Sequence, residues 1–216
     1  MNKEKKIIGI FVIIAVTLVA GFIILFQFSS PKIYGNKGGS SGEVSRYVSR
    51  DIPMTDSNGS TRRLMDLKGK VWLISHVFTR CPGQCAGVCV VLDEIRKDVN
   101  DKENLQFVSV TLDPNHDTPD HLKAFSNKHG FVSDDWWFLT GESSELNSYM
   151  LEVFSLSAQE KKESEKVSED DIFAHKPMVA LINHELKIEG WYNPFDKRSS
   201  EALREKLIFA LNEAKS

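Results

Sequence analysis

Three equally spaced cysteines sit where a strand-like run gives way to a helix-like one in Val71–Leu92, VWLISHVFTRCPGQCAGVCVVL, and this junction constrains the chain more than any other stretch. The apolar run that opens it, bounded by Gly69 and by Thr79-Arg80, reads as a strand buried on both faces in a mostly parallel sheet. Pro82 suits the first turn of a helix, where its missing N–H has no intrahelical partner and its φ is already helical. Cys81 therefore falls at or just before a helix N-terminus, where unpaired N–H groups and the dipole favour a thiolate, the form that binds metal or attacks a disulfide. Cys81 and Cys85 lie four apart, close enough on a helix to share one metal ion or close a disulfide. The spacing is C-x3-C, not the C-x2-C of thioredoxin-type pairs.

The flanking sequence places this junction in an α/β domain. Arg50–Lys70 suggests two short strands about the turn Asp56-Ser57-Asn58-Gly59, then a loop into the Val71 strand. Leu105–Asp113 alternates and is β-rich, so it is a second central strand. Asp117-Thr118-Pro119 starts a helix running to His129, with Gly130 as its stop. Trp136–Thr140 is a further strand, and the strand, helix, strand succession implies parallel pairing with right-handed crossovers. Ser143–Phe154 reads as an amphipathic helix, and the charge-dense AQEKKESEKVSEDDIF after it as an exposed loop. Met178–Asn183 and Leu186–Tyr192 form a hairpin through Asn183-His184-Glu185, and Ser199–Ala214 is a closing helix capped by Ser199 or Ser200.

Ahead of this domain, Ile7–Phe28 carries no charge and a single amide, so as a helix it spans about 30 Å of hydrocarbon. The competing reading is a cleaved signal peptide, whose apolar region is shorter and ends at a small-residue site. Lys3, Lys5 and Lys6 keep the N-terminus in the cytoplasm and put the domain outside. The expected organisation is a cytoplasmic N-terminus and transmembrane anchor over 1–28, a Gly/Ser/Pro-rich flexible linker over 29–50, and one folded domain over 51–216. A net charge of −3 gives no case for nucleic-acid binding. With only three cysteines, all inside one short stretch, the pattern is that of a site rather than of a disulfide scaffold.

FTRCPGQC after a buried strand, then VSVTLDPNHDTPDHLKAF and AHKPMVALIN in that order, resembles the Sco (SenC) family of membrane-anchored, thioredoxin-fold copper-delivery proteins used in assembling cytochrome c oxidase. The resemblance covers roughly Asp51 to Ala214. It implies a thioredoxin-like, peroxiredoxin-related α/β fold behind an N-terminal transmembrane helix. It also implies copper, as Cu(I) or Cu(II), held by Cys81, Cys85 and the distant His175. Thiolates favour Cu(I) and imidazole helps hold Cu(II), so such a donor set serves either oxidation state. The partners it implies are the copper-centre subunit of a respiratory oxidase, other copper chaperones or thiol reductases. The implied location is the inner (cytoplasmic) membrane, single-pass, with the C-terminal domain on the extracytoplasmic side. Pro177 stands where thioredoxin-like folds place a proline loop opposite their cysteines, with its isomer open.

The sequence departs from the family motif C-P-x-x-C-P at Ala86, and it adds Cys89. That third thiol reads first as a buried core residue, and otherwise as a resolving thiol or an extra ligand. Asp117 reads as a helix cap, and Asp113 as a residue orienting the site or a docking partner. His116, His121, His129 and His184 read as solvated, Trp136 as core and Trp137 as edge. The alternative function is a thiol–disulfide oxidoreductase in which Cys81 attacks and Cys85 resolves, so whether the chain is an enzyme is left open. A peroxidase reading ranks last, because the PxxTxxC arrangement is absent.

Overall fold

The computed structural model describes residues 47–81, 84–166, 168–170 and 172–215. The expected anchor and nearly all of the expected linker lie outside the described residues, as does Pro82. No described helix is long and apolar enough to cross a membrane.

One sheet has the strand order β2-β1-β5-β4-β3-β8-β9. Its members are β1 (Met54–Asp56), β2 (Thr61–Arg62), β3 (Val71–Val77), β4 (Leu105–Thr111), β5 (Trp136–Thr140), β8 (Val179–Ile182) and β9 (Ile188–Tyr192). β3, β4 and β5 run parallel, while β8 pairs antiparallel to β3 and β9 to β8. β3 and β4 are buried along their whole lengths. That is what a near-continuous apolar run in a sheet covered on both faces requires. The helices are α1 (Gln84–Asp98), α2 (Pro119–His129), α3 (Ser143–Phe154) and α4 (Lys197–Glu213).

Alternation along β3 sends its side chains into two cores. Val71, Leu73 and Val77 meet α1 through Val88, Leu92 and Ile95, and α4 through Leu203 and Leu207. Trp72 and Ile74 meet α3 through Leu146, Tyr149, Met150 and Phe154. This layering, with the cysteine helix leaving the end of a central parallel strand, is the thioredoxin-like arrangement expected. Tyr47 bridges to Lys187, and Val48 is buried and donates its N–H to the Leu186 carbonyl.

Three local expectations need correction. The charge-dense stretch is not a plain loop: its ends pair as β6 (Ala158–Glu160) and β7 (Phe173–His175), a two-stranded ribbon separate from the main sheet. α4 begins at Lys197 and is capped by Asp196, whose carboxylate accepts from the Ser199 N–H. In α2 the cap is Thr118, because Pro119 takes the first helical position and leaves Asp117 outside the helix.

Candidate metal centre

The parallel strand β3 ends at Val77, and the next residues turn over the mouth of the sheet before α1 begins. Phe78, Leu112 and Cys85 are buried there as a small cluster, with Cys81, Ala158, Ile172 and Phe173 packed against it. Phe78 from the cysteine loop meets Phe173 of β7 edge-to-face at 5.3 Å. The ribbon thus lies across the cysteines, and the pairing of Ala158 with His175 sets the register that puts the imidazole over them.

Cys81 Sγ, Cys85 Sγ and one ring nitrogen of His175 all lie within 4.8 Å of one another. His175 Nε2 is 3.4 Å from Cys85 Sγ. Nδ1 lies 3.4 Å from the Lys176 carbonyl, which can only accept, so Nδ1 carries the proton and Nε2 turns its lone pair toward the sulfurs. A ring nitrogen fixed by a backbone carbonyl while the other faces a site is the usual setting of a metal-binding histidine. The three residues singled out from the sequence are therefore brought together. The Lys176–Pro177 bond beside them is trans.

All three cysteines are free thiols. Cys85 is fully buried, and its pKa is raised, first by its hydrogen bond with Cys81 and then by burial. The thiolate-favouring setting expected at Cys81 thus does not extend to Cys85. Proximity of a second sulfur and lack of water outweigh any benefit from the first helical turn, so without metal Cys85 is a protonated donor facing the bare nitrogen of His175. A soft cation entering among these atoms would displace that proton, because the thiolate is the ligating form. Cys89 is buried in the core between α1 and the sheet, and burial pushes its thiol up to about 12, with Ser109 pulling the other way. It packs where a core residue packs and is not one of the three clustered donors.

The approach to Cys81 is built by residues the sequence reading undervalued. Asp117 is fully buried and accepts from the Thr79 N–H (3.2 Å), the Thr79 hydroxyl, the Thr111 hydroxyl (2.6 Å) and His116 Nδ1 (3.0 Å). It ties the end of β4 to the loop two residues before Cys81 and caps nothing. The signal was available: a Thr-Pro pair opening a helix makes the threonine the cap and frees the residue before it. Arg80, next to Cys81, pairs with Asp113 at 2.6 Å and approaches Asp170 of the ribbon segment at 3.9 Å. Asp113 thus orients the cysteine loop, one of the two roles open to it. His116 is not simply solvated, since it binds Asp117 and stacks on His121 at 4.6 Å.

Comparison with known proteins gives a consistent result. The family model described as SCO1/SenC matches residues 44–210. A curated relative, the SCO1 protein homolog of Bacillus subtilis (strain 168), is 27% identical over 149 residues, 68% of this chain and 74% of its own. Among solved structures, BsSco, described as a member of the Sco family of cytochrome c oxidase assembly proteins with a disulfide switch, is 25% identical. It superposes with a TM-score of 0.64 over 76% of this chain and 93% of its own. Bradyrhizobium japonicum ScoI, solved with copper bound, shares the fold at 22% identity, with a TM-score of 0.62 over 74% of this chain and 98% of its own.

Proposed function

The chain belongs to the SCO1/SenC family, and from that premise we propose that it is a copper carrier whose cargo ion is held by Cys81, Cys85 and His175 and passed to the copper centre of cytochrome c oxidase during assembly. The observation that carries the reading is the convergence of two sulfurs and one bare imidazole nitrogen within 4.8 Å, from residues ninety positions apart. Two soft sulfurs and a borderline nitrogen are a donor set for copper in either oxidation state. The similarity to a ScoI solved with copper, and to a family named for oxidase assembly, supports the choice of cargo and destination. Cys81 is partly exposed and His175 rides on a ribbon outside the main sheet, so the ion is reachable by an incoming ligand and one donor can leave before the others. A protein that hands its ion on needs that order of events.

Residues Ile7–Phe28 serve in this reading as a retained single-pass anchor holding the domain on the outer face of the cytoplasmic membrane. The test of the donor set is copper loading of purified protein. One ion per chain, lost or greatly weakened in Cys81→Ser, Cys85→Ser and His175→Ala, supports it. Equal uptake by wild type and His175→Ala removes it.

A second reading rests on the Cys81–Cys85 hydrogen bond and on the disulfide switch named for BsSco. Here the Cys81 thiolate attacks a target disulfide and Cys85 displaces the target's sulfur. The target leaves as a dithiol carrying the two electrons and two protons given up by Cys81 and Cys85, which are left joined as a disulfide that an external dithiol reductant must reopen. It predicts that target reduction survives His175→Ala and is lost in Cys81→Ser.

A further inference from the structure

The ribbon that carries His175 shares no ladder with the main sheet, so its position over the cysteines depends on side chains that reach it from elsewhere. At its root the chain leaves α3 through Ser155, in a left-handed conformation, and Leu156, whose N–H returns to the Met150 carbonyl. Two donors from the main sheet, a half-buried tryptophan and a buried histidine, meet this short crossing. Trp191 of β9 gives its Nε1–H to the Phe154 carbonyl at 2.5 Å, and His76 of β3 places Nε2 3.1 Å from the Leu156 carbonyl. Since a carbonyl only accepts, His76 donates there. Leu156 is two residues from Ala158, and Ala158 is the register partner of His175.

His76 is otherwise unexplained. It occupies an inward position on the Trp72 and Ile74 side of β3, among residues that are apolar, and is itself buried. A histidine in such a place costs stability unless its polar atoms are used. An apolar residue of similar size would leave the buried Leu156 carbonyl without this donor.

We propose that His76 is a positioning residue of the metal centre: its Nε2–H holds the Leu156 carbonyl, fixes the root of the ribbon, and thereby sets where His175 Nε2 stands relative to the two sulfurs. The proposal rests on the reading of Cys81, Cys85 and His175 as metal donors, but the tether itself exists without metal. His76 is not one of the three clustered donors, and the tether reaches His175 through the backbone from Leu156 to Ala158 and one strand pairing.

The experiment compares the full chain with His76→Leu, which removes the donor, and His76→Gln, whose amide nitrogen reaches the place of Nε2. Hydrogen exchange is followed at the amides of Phe173, Ala174 and His175 without metal. Cu(II) is then added to one equivalent, and affinity, the sulfur-to-copper charge-transfer band and the nitrogen hyperfine coupling are recorded. His76→Leu is expected to speed exchange in the ribbon, weaken copper binding about tenfold, as loss of an outer-shell partner does, and diminish the nitrogen coupling. His76→Gln restores all three. A folded His76→Leu protein with wild-type exchange, affinity and coupling overturns the proposal. If the leucine variant does not fold, His76→Met replaces it in the comparison with glutamine, and equality of those two overturns it. A wild-type chain that takes up no copper defeats the metal reading instead, while exchange still decides whether His76 tethers the ribbon.

Discussion

Replacing Asp117 by alanine removes one carboxylate and leaves four donors without their acceptor: the Thr79 N–H, two threonine hydroxyls and His116 Nδ1. The hydroxyls and the imidazole can turn, but the Thr79 N–H is fixed by the backbone. A bond to a charged group contributes about 1.5–3 kcal/mol, and a buried donor left unmade costs about 1–3 kcal/mol. Relief from burying the carboxylate offsets part of this. The net loss expected is about 2–4 kcal/mol. Asp117→Asn should cost about half as much, because the amide oxygen can keep the Thr79 N–H and the Thr111 hydroxyl while its nitrogen donates toward Thr79 Oγ1 and a His116 ring that has changed tautomer. Urea unfolding read by tryptophan fluorescence measures both, with an unchanged slope showing that the comparison is of stabilities. The loop held by Asp117 carries Cys81, so copper affinity should fall in the same order. A loss below about 1 kcal/mol for alanine, or asparagine worse than alanine, would refute the assignment of this network as the support of the cysteine loop.

Burial lowers His76 to about 4 from an ordinary value near 6.5. The unfolded chain therefore binds a proton at this residue before the folded one does, and the stability present above pH 6.5 is lost as pH falls toward 4, by up to about 3 kcal/mol. His76→Gln should flatten that part of a stability profile measured by urea unfolding at successive pH values. Cys89→Ala should keep full copper stoichiometry and cost about 1–2 kcal/mol for the lost sulfur in a packed core. In the native protein Cys89 should also resist alkylation at pH 8 while Cys81 reacts, as read by mass spectrometry. Trp191→Phe removes the donor to the Phe154 carbonyl and should speed amide exchange at the start of the ribbon while leaving the parallel strands unchanged.

The sheet was legible because its strands obey local rules. β3 and β4 are apolar runs bounded by turn residues, and the expected Trp136–Thr140 strand and Ser143–Phe154 helix match β5 and α3 end for end. Helix starts were less legible, since each of Asp117, Ser199 and Ser200 has the chemistry of a cap and only the neighbouring residues decide. At α4 the decisive pattern was Asp196 with Ser199 three positions on, and at α2 it was Pro119. The ribbon escaped because β6 and β7 pair across a polar, charge-rich stretch, and nothing in a short window of such sequence announces a distant partner. The same limit applies to the metal centre. The cysteines declare themselves by spacing and by the strand end they follow, whereas His175 stood out only through resemblance to a family. His76 and Thr79 gave no local sign, because their importance lies in which carbonyl or carboxylate the fold brings to them.

Copper carriage by this chain requires a single ion touching two sulfurs and one nitrogen drawn from distant parts of the sequence. X-ray absorption at the copper edge of the Cu(I)-loaded protein, in wild type and His175→Ala, measures this directly. Wild type should show two sulfur neighbours near 2.3 Å and one nitrogen near 2.0 Å, distances typical of thiolate and imidazole at a first-row metal of this size, and the variant should lose the nitrogen alone. An identical coordination shell in the two proteins would contradict it.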